Sequence, residues 1–210
     1  ADLRPQSHEI IRTWAFYTIL KANYHSATIP WKNIMISGWC LAEDKTKMSK
    51  SKGNVVTPKS IIELYGADVV RYWSANSRLG TDTAFSPDLF KIGQKLLNKI
   101  WNASKFVAGF LSNELVSETI EPTETIDLWI LSKLKCTVEY ATEKLEVFEY
   151  CEALEIIERF FWNDLCDNYL EIVKVRIYNE QRNDVKSQMS AIYSLYFVLD
   201  VIIKLFAPFI

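Results

Sequence analysis

Through the second half of this chain apolar side chains recur at every third or fourth residue, and that spacing restricts its fold more than any other feature. The series run Ile92, Leu96, Ile100; Ile130, Leu134, Val138, Ala141, Leu145; Leu154, Ile157, Phe161, Leu165, Ile172; and Met189, Ile192, Tyr196, Leu199, Ile203. Steps of three and four set each series on one side of an α-helix, so each predicts a helix with one buried stripe. Polar breaks fall near Ser112 to Thr125 and Asn179 to Asp184. Four long helices joined by short connections predict an antiparallel bundle. Only 6 Gly and 6 Pro occur in 210 residues, which leaves little material for long irregular loops.

Residues 1 to 56 carry a different pattern, read as mixed α/β. From Glu9 to Leu20 a helical stripe runs through Ile10, Ile11, Trp14, Ala15, Thr18 and Ile19, and Ile29 to Ile36 leads into a short buried strand. One helix and one strand cannot bury both of their faces, so a parallel sheet in preceding sequence is expected to cover them. Thr57-Pro58 then places an N-cap before a proline at the first helical position, with Gly66 as the stop. A second short helix is expected from Ala67 to about Asn76, and a loop from Ser77 to Phe85. Ser86-Pro87 repeats the capping signature and opens a helix to about Leu111.

Composition narrows the functions open to such a chain. It is 49% hydrophobic and 24% charged, as a folded protein is, with a net charge of -2 and a pI near 5.8. That excludes nucleic-acid binding through bulk positive charge, and any polyanion must meet a local patch. One such patch is Lys45, Lys47, Lys50, Lys52 and Lys59, offset by Glu43 and Asp44. Cys40, Cys136, Cys151 and Cys166 form no CxxC pair and lie far in sequence from His8 and His25. Free and mostly buried thiols are expected, with no metal site and with both histidines structural or on the surface. No window approaches 20 uninterrupted apolar residues, so neither a membrane span nor a signal peptide is expected. The start at Ala1 and the stop at Phe206-Ala-Pro-Phe-Ile210 suggest a piece of a longer protein.

Within the basic patch, Lys47-Met48-Ser49-Lys50-Ser51 is followed by Lys52-Gly53-Asn54. Lysine runs are ordinarily solvated surface, but here ammonium groups, hydroxyls and a glycine are packed between an apolar run, Ile34-Met35-Ile36, and a helix start. Such donors suit phosphate oxygens. No GxxxxGK[ST] is present, so this is not a Walker loop.

This Lys-Met-Ser-Lys-Ser segment resembles the signature loop of the class I aminoacyl-tRNA synthetases, and the order of strand, loop, connecting helices and bundle is similar to theirs. Asp2-Leu3-Arg4-Pro5-Gln6, Glu9-Ile10-Ile11-Arg12-Thr13-Trp14, Gly66-Ala67-Asp68, Trp101-Asn102-Ala103 and Phe161-Trp162-Asn163 look like the valine-specific branch, with the isoleucine and leucine branches as alternatives. A non-catalytic tRNA-binding or scaffolding module is the alternative from another class. The resemblance implies a mainly α chain: the C-terminal piece of a Rossmann-type catalytic domain (1–56), connecting helices that contact the tRNA stem (57–85) and a helical anticodon-binding domain (86–210).

It also implies substrates and roles. These are ATP with Mg2+, valine and tRNA(Val), in a cytoplasmic monomer. Lys47 and Lys50 would be catalytic. ATP would bind along Lys47, Met48, Ser49, Lys50 and Ser51, with Gly38 and Trp39 beside the adenine. Trp14, Gln6 and Glu9 would line the amino-acid and adenylate pocket. Asn98, Trp101, Asn102, Lys105 and Phe106, with Arg176 and Arg182 as weaker candidates, would meet tRNA. The residue reading keeps structural alternatives for these: Trp14, Trp101 and Phe106 as core, Trp39 as a domain seal, and Gln6 and Glu9 as helix-start residues. Two departures are visible: the family's His-Ile-Gly-His motif and editing insertion are not in these residues, and Ser37 stands where many relatives carry His. The chain alone is therefore expected to be inactive.

Overall fold

The structure is a computed structural model that describes residues 1–111, 121–178 and 184–210. The chain divides into two compact units, Ala1–Phe90 and Lys91–Ile210.

The first unit opens with strand β1 (Leu3–Ser7), which crosses over a helical segment to β2 (Asn33–Ser37). The two pair in parallel, Leu3 beside Asn33 and Ser7 beside Ser37. Nothing in Leu-Arg-Pro-Gln-Ser announces β1: Pro5 cannot donate to a ladder and no residue is β-branched. The helical segment is a 3-10 turn (His8–Ile10), a π turn (Ile11–Ala15) and then α1 (Phe16–Ser26). Strand β2 is not the buried one expected, and the helical stripe is largely uncovered as well. Of the six stripe residues only Ala15 is buried, while Ile11, Trp14 and Ile19 are exposed. Strand β2 has no buried residue either. Periodicity says which residues share a face, not whether another element covers that face.

After β2 come β3 (Cys40–Leu41), a 3-10 turn at Lys50–Lys52, α2 (Pro58–Tyr65), α3 (Ala67–Ala75) and β4 (Thr83–Ala84). Strand β4 lies in the stretch expected to be loop and pairs in parallel with β3. Thr57 is extended and Pro58 occupies the first turn as expected, but the Thr57 hydroxyl makes no cap bond. Gly66, at φ 89°, ends α2 in a region that favours glycine. Phe90 is fully buried, with the rings of Tyr65, Phe85 and Trp73 at 5.4, 5.3 and 5.8 Å.

Helix α4 (Pro87–Ala108) carries the chain into the second unit. There follow α5 (Thr125–Glu146), α6 (Tyr150–Arg159), a π-helical stretch (Phe160–Tyr169), α7 (Leu170–Ile177) and α8 (Val185–Phe206). Most of the apolar series are buried as expected, among them Leu96, Ile130, Leu134, Leu154, Ile157, Phe161, Leu165, Ile192 and Leu199. Ile92, Ile172 and Ile203 are instead 48%, 48% and 40% exposed, and past the π stretch Leu170, Val173 and Ile177 are buried in place of Ile172. The wider turns of the π stretch advance the phase, so a stripe extrapolated at α-helical spacing points the wrong way.

The cysteines differ from expectation as well. All four are free, but only Cys166 is buried, and Cys40 and Cys136 are exposed. Helix Val185–Phe206 is long and apolar enough to cross a membrane by length and composition, a property that counting uninterrupted apolar runs missed. Half of its most apolar window is buried, as in a core helix, including Ala191, Leu195, Val198 and Ile202.

Candidate nucleotide-binding loop

Strands β1 and β2 end side by side at Ser7 and Ser37, and the carboxyl ends of parallel strands are where open α/β sheets take ligands. Beyond these ends lie His8-Glu9 and Gly38-Trp39. Gly38 is fixed by a close approach: a Cβ there would sit 2.1 Å from the Thr81 carbonyl oxygen. Residues 80–85 run against 36–41. Gly80, Thr83 and Phe85 donate their N–H groups to the carbonyls of Ile36 (2.9 Å), Trp39 (2.8 Å) and Leu41 (2.8 Å). Asp82 Oδ1 accepts from the Trp39 N–H at 2.7 Å.

The lysine-rich segment leaves this platform as two tight turns. In the first, the Ala42 N–H donates to Thr46 O at 2.9 Å, Lys45 takes φ 61°, and Asp44 Oδ1 accepts from both N–H and Oγ1 of Thr46. In the second, the Lys52 N–H donates to Ser49 O at 3.1 Å, and Gly53 at φ 67° ends the turn. The hydroxyls of Ser49 and Ser51 lie 2.7 Å apart. Asn54 reaches back to both turns. Its Oδ1 accepts from the Ser49 N–H at 2.8 Å, and its Nδ2 donates to Thr46 Oγ1 at 3.0 Å and Lys47 O at 3.3 Å.

The two lysines assigned to catalysis stand differently. Lys47 Nζ lies 2.8 Å from Glu9 Oε2 and 4.2 Å from the centre of the Trp39 ring. The same Glu9 oxygen accepts from Trp39 Nε1 at 3.0 Å. Hydrogen bonds from Lys47 and Trp39, then the Lys47 charge, hold the Glu9 carboxyl below the usual glutamate range. Both partners are about half exposed, which keeps the pair weak and exchangeable. The Lys50 side chain is exposed and makes no ion pair with a described residue. His8 packs its ring 4.8 Å from Trp39. The structure therefore brings Glu9, Trp39 and Lys47 together, with Gly38, next in the chain to Trp39, packed against the Thr81–Asp82 backbone.

Gln6 is buried, and neither end of its side-chain amide has a hydrogen-bond partner. A buried amide without partners is unusual and suits a missing polar contact. Trp14 is half exposed rather than core, stacked on Trp31 at 5.8 Å with the Arg4 guanidinium 3.9 Å from its ring centre. An open apolar groove of about 680 Å³ lies along Ile11, Ala15, Phe16, Tyr17, Ile34 and Ile36. None of the loop lysines lines it.

On α4, Asn98, Trp101, Asn102 and Lys105 are exposed along one face, and Lys105 Nζ is 6.0 Å from the centre of the Trp101 ring. Trp101 is thus not core. Phe106 is half-buried, edge-on to Phe110 and Tyr178 at 5.1 and 6.2 Å. Arg176 is committed elsewhere, and Arg182 lies outside the described residues. Arg176 makes a two-pronged pair with the fully buried Asp127, at 2.8 and 2.9 Å. Tyr169 and Ser190 donate to the same carboxylate at 2.7 and 2.5 Å. Burial alone would raise the Asp127 carboxyl, but bonds from Arg176, Ser190 and Tyr169 with the Arg176 charge hold it below the ordinary aspartate value. Burial pushes the Cys166 thiol up to about 11, which leaves it inert.

Sequence reasoning missed Asn54, Asp82 and Asp127. For Asn54 a signal existed: Asn directly after the turn-ending Gly53 is placed to bond nearby backbone. For Asp82 and Asp127 there was none, because their partners are 43 and 42 to 63 residues away.

Two family descriptions match complementary parts of the chain: the class I tRNA synthetases for isoleucine, leucine, methionine and valine over residues 1–86, and the anticodon-binding domain of tRNA ligase over 127–210. The chain belongs to this class I synthetase family. Within the family its relatives include valine–tRNA ligases. That of Wolbachia pipientis wMel is 62% identical over 100% of this chain and 24% of the relative. That of Wolbachia sp. subsp. Brugia malayi (strain TRS) is 60% identical over the same shares. The chain thus spans about a quarter of the length of these relatives. Among solved structures, Mycobacterium tuberculosis methionyl-tRNA synthetase in complex with methionyl-adenylate matches with a TM-score of 0.78 at 24% identity, covering 100% of this chain and 42% of that one, a likeness of fold.

Proposed function

We propose that this segment supplies the phosphate-gripping loop and the anticodon-binding helices of a ligase that activates valine with ATP and transfers it to tRNA(Val). The observation that carries the reading is the cationic loop placed beyond the paired strand ends, with Lys50 exposed and in no ion pair with a described residue, and Lys47 on a half-exposed carboxylate. The relatives' name supplies the amino acid.

In the first step the valine carboxylate attacks the α-phosphorus of ATP, and pyrophosphate leaves as the acyl-phosphate bond forms. Negative charge grows on the leaving phosphates. Lys50, and Lys47 once it exchanges Glu9 for phosphate, interact more strongly with that charge than with ground-state ATP and so lower the barrier. Ser49 and Ser51 donate hydroxyl hydrogens, and Met48 is carried with them. Magnesium arrives with the ATP phosphates, as is usual for an ion that keeps few protein ligands. Gly38 lets the neighbouring backbone close in beside Trp39, where the adenine stacks. Gln6 and Glu9 face the adenylate, and Trp14 limits side-chain volume in the amino-acid pocket. In the second step the tRNA 3′ hydroxyl takes the valyl group and AMP leaves.

Residues 1–56 form the C-terminal piece of the Rossmann-type catalytic domain, 57–85 the connecting helices, and 86–210 an antiparallel bundle. The exposed face of Asn98, Trp101, Asn102 and Lys105, with Phe106 beside it, offers stacking, hydrogen bonds and charge to unpaired anticodon bases. The protein acts as a cytoplasmic monomer.

Lys50→Ala in the full-length protein tests this. Valine-dependent ATP–pyrophosphate exchange is expected to fall by about two to three powers of ten, the usual loss for one such donor. Affinity for tRNA is expected to stay within about twofold, since Lys50 is one of many cations available to the polyanion. Unchanged exchange would leave a tRNA-binding scaffold as the better reading, and a preference for isoleucine or leucine over valine would overturn the substrate.

A further inference from the structure

We infer that Asn54 is a positioning residue for the reaction: its side-chain amide ties the turn that precedes Lys47, and the Lys47 backbone, to the turn that carries Lys50, so that both ammonium groups are presented as one unit. The inference rests on the reading that this loop grips ATP.

The turn closed at Ala42–Thr46 and the turn closed at Ser49–Gly53 are each held by their own backbone bonds. Between them lie Lys47 and Met48. Asn54 spans this interval with a single planar group, accepting from the Ser49 N–H on one side and donating to Thr46 Oγ1 and Lys47 O on the other. Thr46 Oγ1 donates its own proton to Asp44 Oδ1 at 2.7 Å, which leaves it an acceptor toward Asn54. The network therefore demands one acceptor and two donors from residue 54, and only an amide of this length fits. Aspartate has nearly the same shape but no donor, and would set a carboxylate against Lys47 O and against an oxygen already committed to Asp44. Alanine leaves the part-buried Ser49 N–H without its acceptor.

Asn54 touches neither lysine ammonium, so its effect on chemistry passes through backbone placement. When Lys47 leaves Glu9 for phosphate, a clamped loop shifts as a body and keeps the spacing of the two cations. An unclamped loop lets each lysine find its own place. Misplacement of about 1 Å is enough to cost on the order of 100-fold in rate.

The test uses the full-length protein, with Asn54→Ala and Asn54→Asp assayed by valine-dependent ATP–pyrophosphate exchange. KM for ATP is expected to rise and kcat to fall, each by about tenfold, with KM for valine within about twofold of wild type. Amide hydrogen exchange in a 46–54 peptide is expected to quicken in both variants, with the thermal midpoint unchanged. Wild-type kinetics in N54D, or an equal loss toward valine and ATP, would overturn the proposal. So would global unfolding of both variants, because a clamp confined to a surface loop is not needed for folding. If the wild-type protein itself gives no exchange with any amino acid, the ligase reading falls, and quickened amide exchange in N54D still decides whether the clamp exists.

Discussion

Each unit holds a cation against a carboxylate at 2.8 Å, Lys47 on Glu9 in the first and Arg176 on Asp127 in the second. The surroundings are opposite. Lys47 and Glu9 are 56% and 46% exposed in their side chains, whereas Arg176 and Asp127 are 17% and 0%. Asp127 accepts four hydrogen bonds from three residues on three different helical segments, so no competitor from solvent can replace any of them. Glu9 accepts two, both at the surface. One arrangement fixes helices, and the other holds a cation loosely enough to give it up to a more highly charged anion. The distance alone would not have told them apart.

The largest test removes the buried carboxylate. Asp127→Ala leaves the Arg176 guanidinium beside a vacated, largely buried site and is expected to cost about 3–5 kcal/mol in denaturant unfolding. A loss under about 1 kcal/mol would erase the contrast. Next in size is Gly38→Ala, which forces 36–41 and 80–85 apart. About 1–3 kcal/mol is expected from overpacking of this kind, seen as a lower unfolding midpoint.

Acid sharpens the comparison by sign. The native Asp127 carboxyl lies below its ordinary value, so its stabilising contribution is fully present above the unfolded value of about 3.9 and drains away as pH falls through the native one. Unfolding followed from pH 6 downward is expected to show this step in the wild type and to lose it in Asp127→Asn. The smallest effect belongs to Glu9→Gln, which is expected to leave the thermal midpoint where it was. A clear drop would show that the exposed pair is structural too.

The helical series, the Pro58 start and Gly66 stop of α2, and the loop character of 47–53 were all legible because each depends on neighbours within a turn or two. The signature residues were legible as an ordered word. Strand β1 was not, since Leu3–Ser7 becomes a strand only by pairing with residues 30 positions away. Nor was the exposure of Trp14 and Ile19, because a stripe marks a face and says nothing of what packs on it. The shift from Ile172 to Val173 was hidden for another reason: the π stretch is chosen by packing, and no residue in Phe160–Tyr169 announces it.

Sequence alone determined the helical second half, the family and the cationic loop, all of which are written in local spacing or residue order. Tertiary structure alone decided that Lys47 rests on Glu9 while Lys50 pairs with no described residue, that Arg176 is buried on Asp127, and that Gly38 must be glycine. Each of these turns on the approach of side chains or backbone from distant parts of the chain, and chain order carries no record of which groups will meet in space.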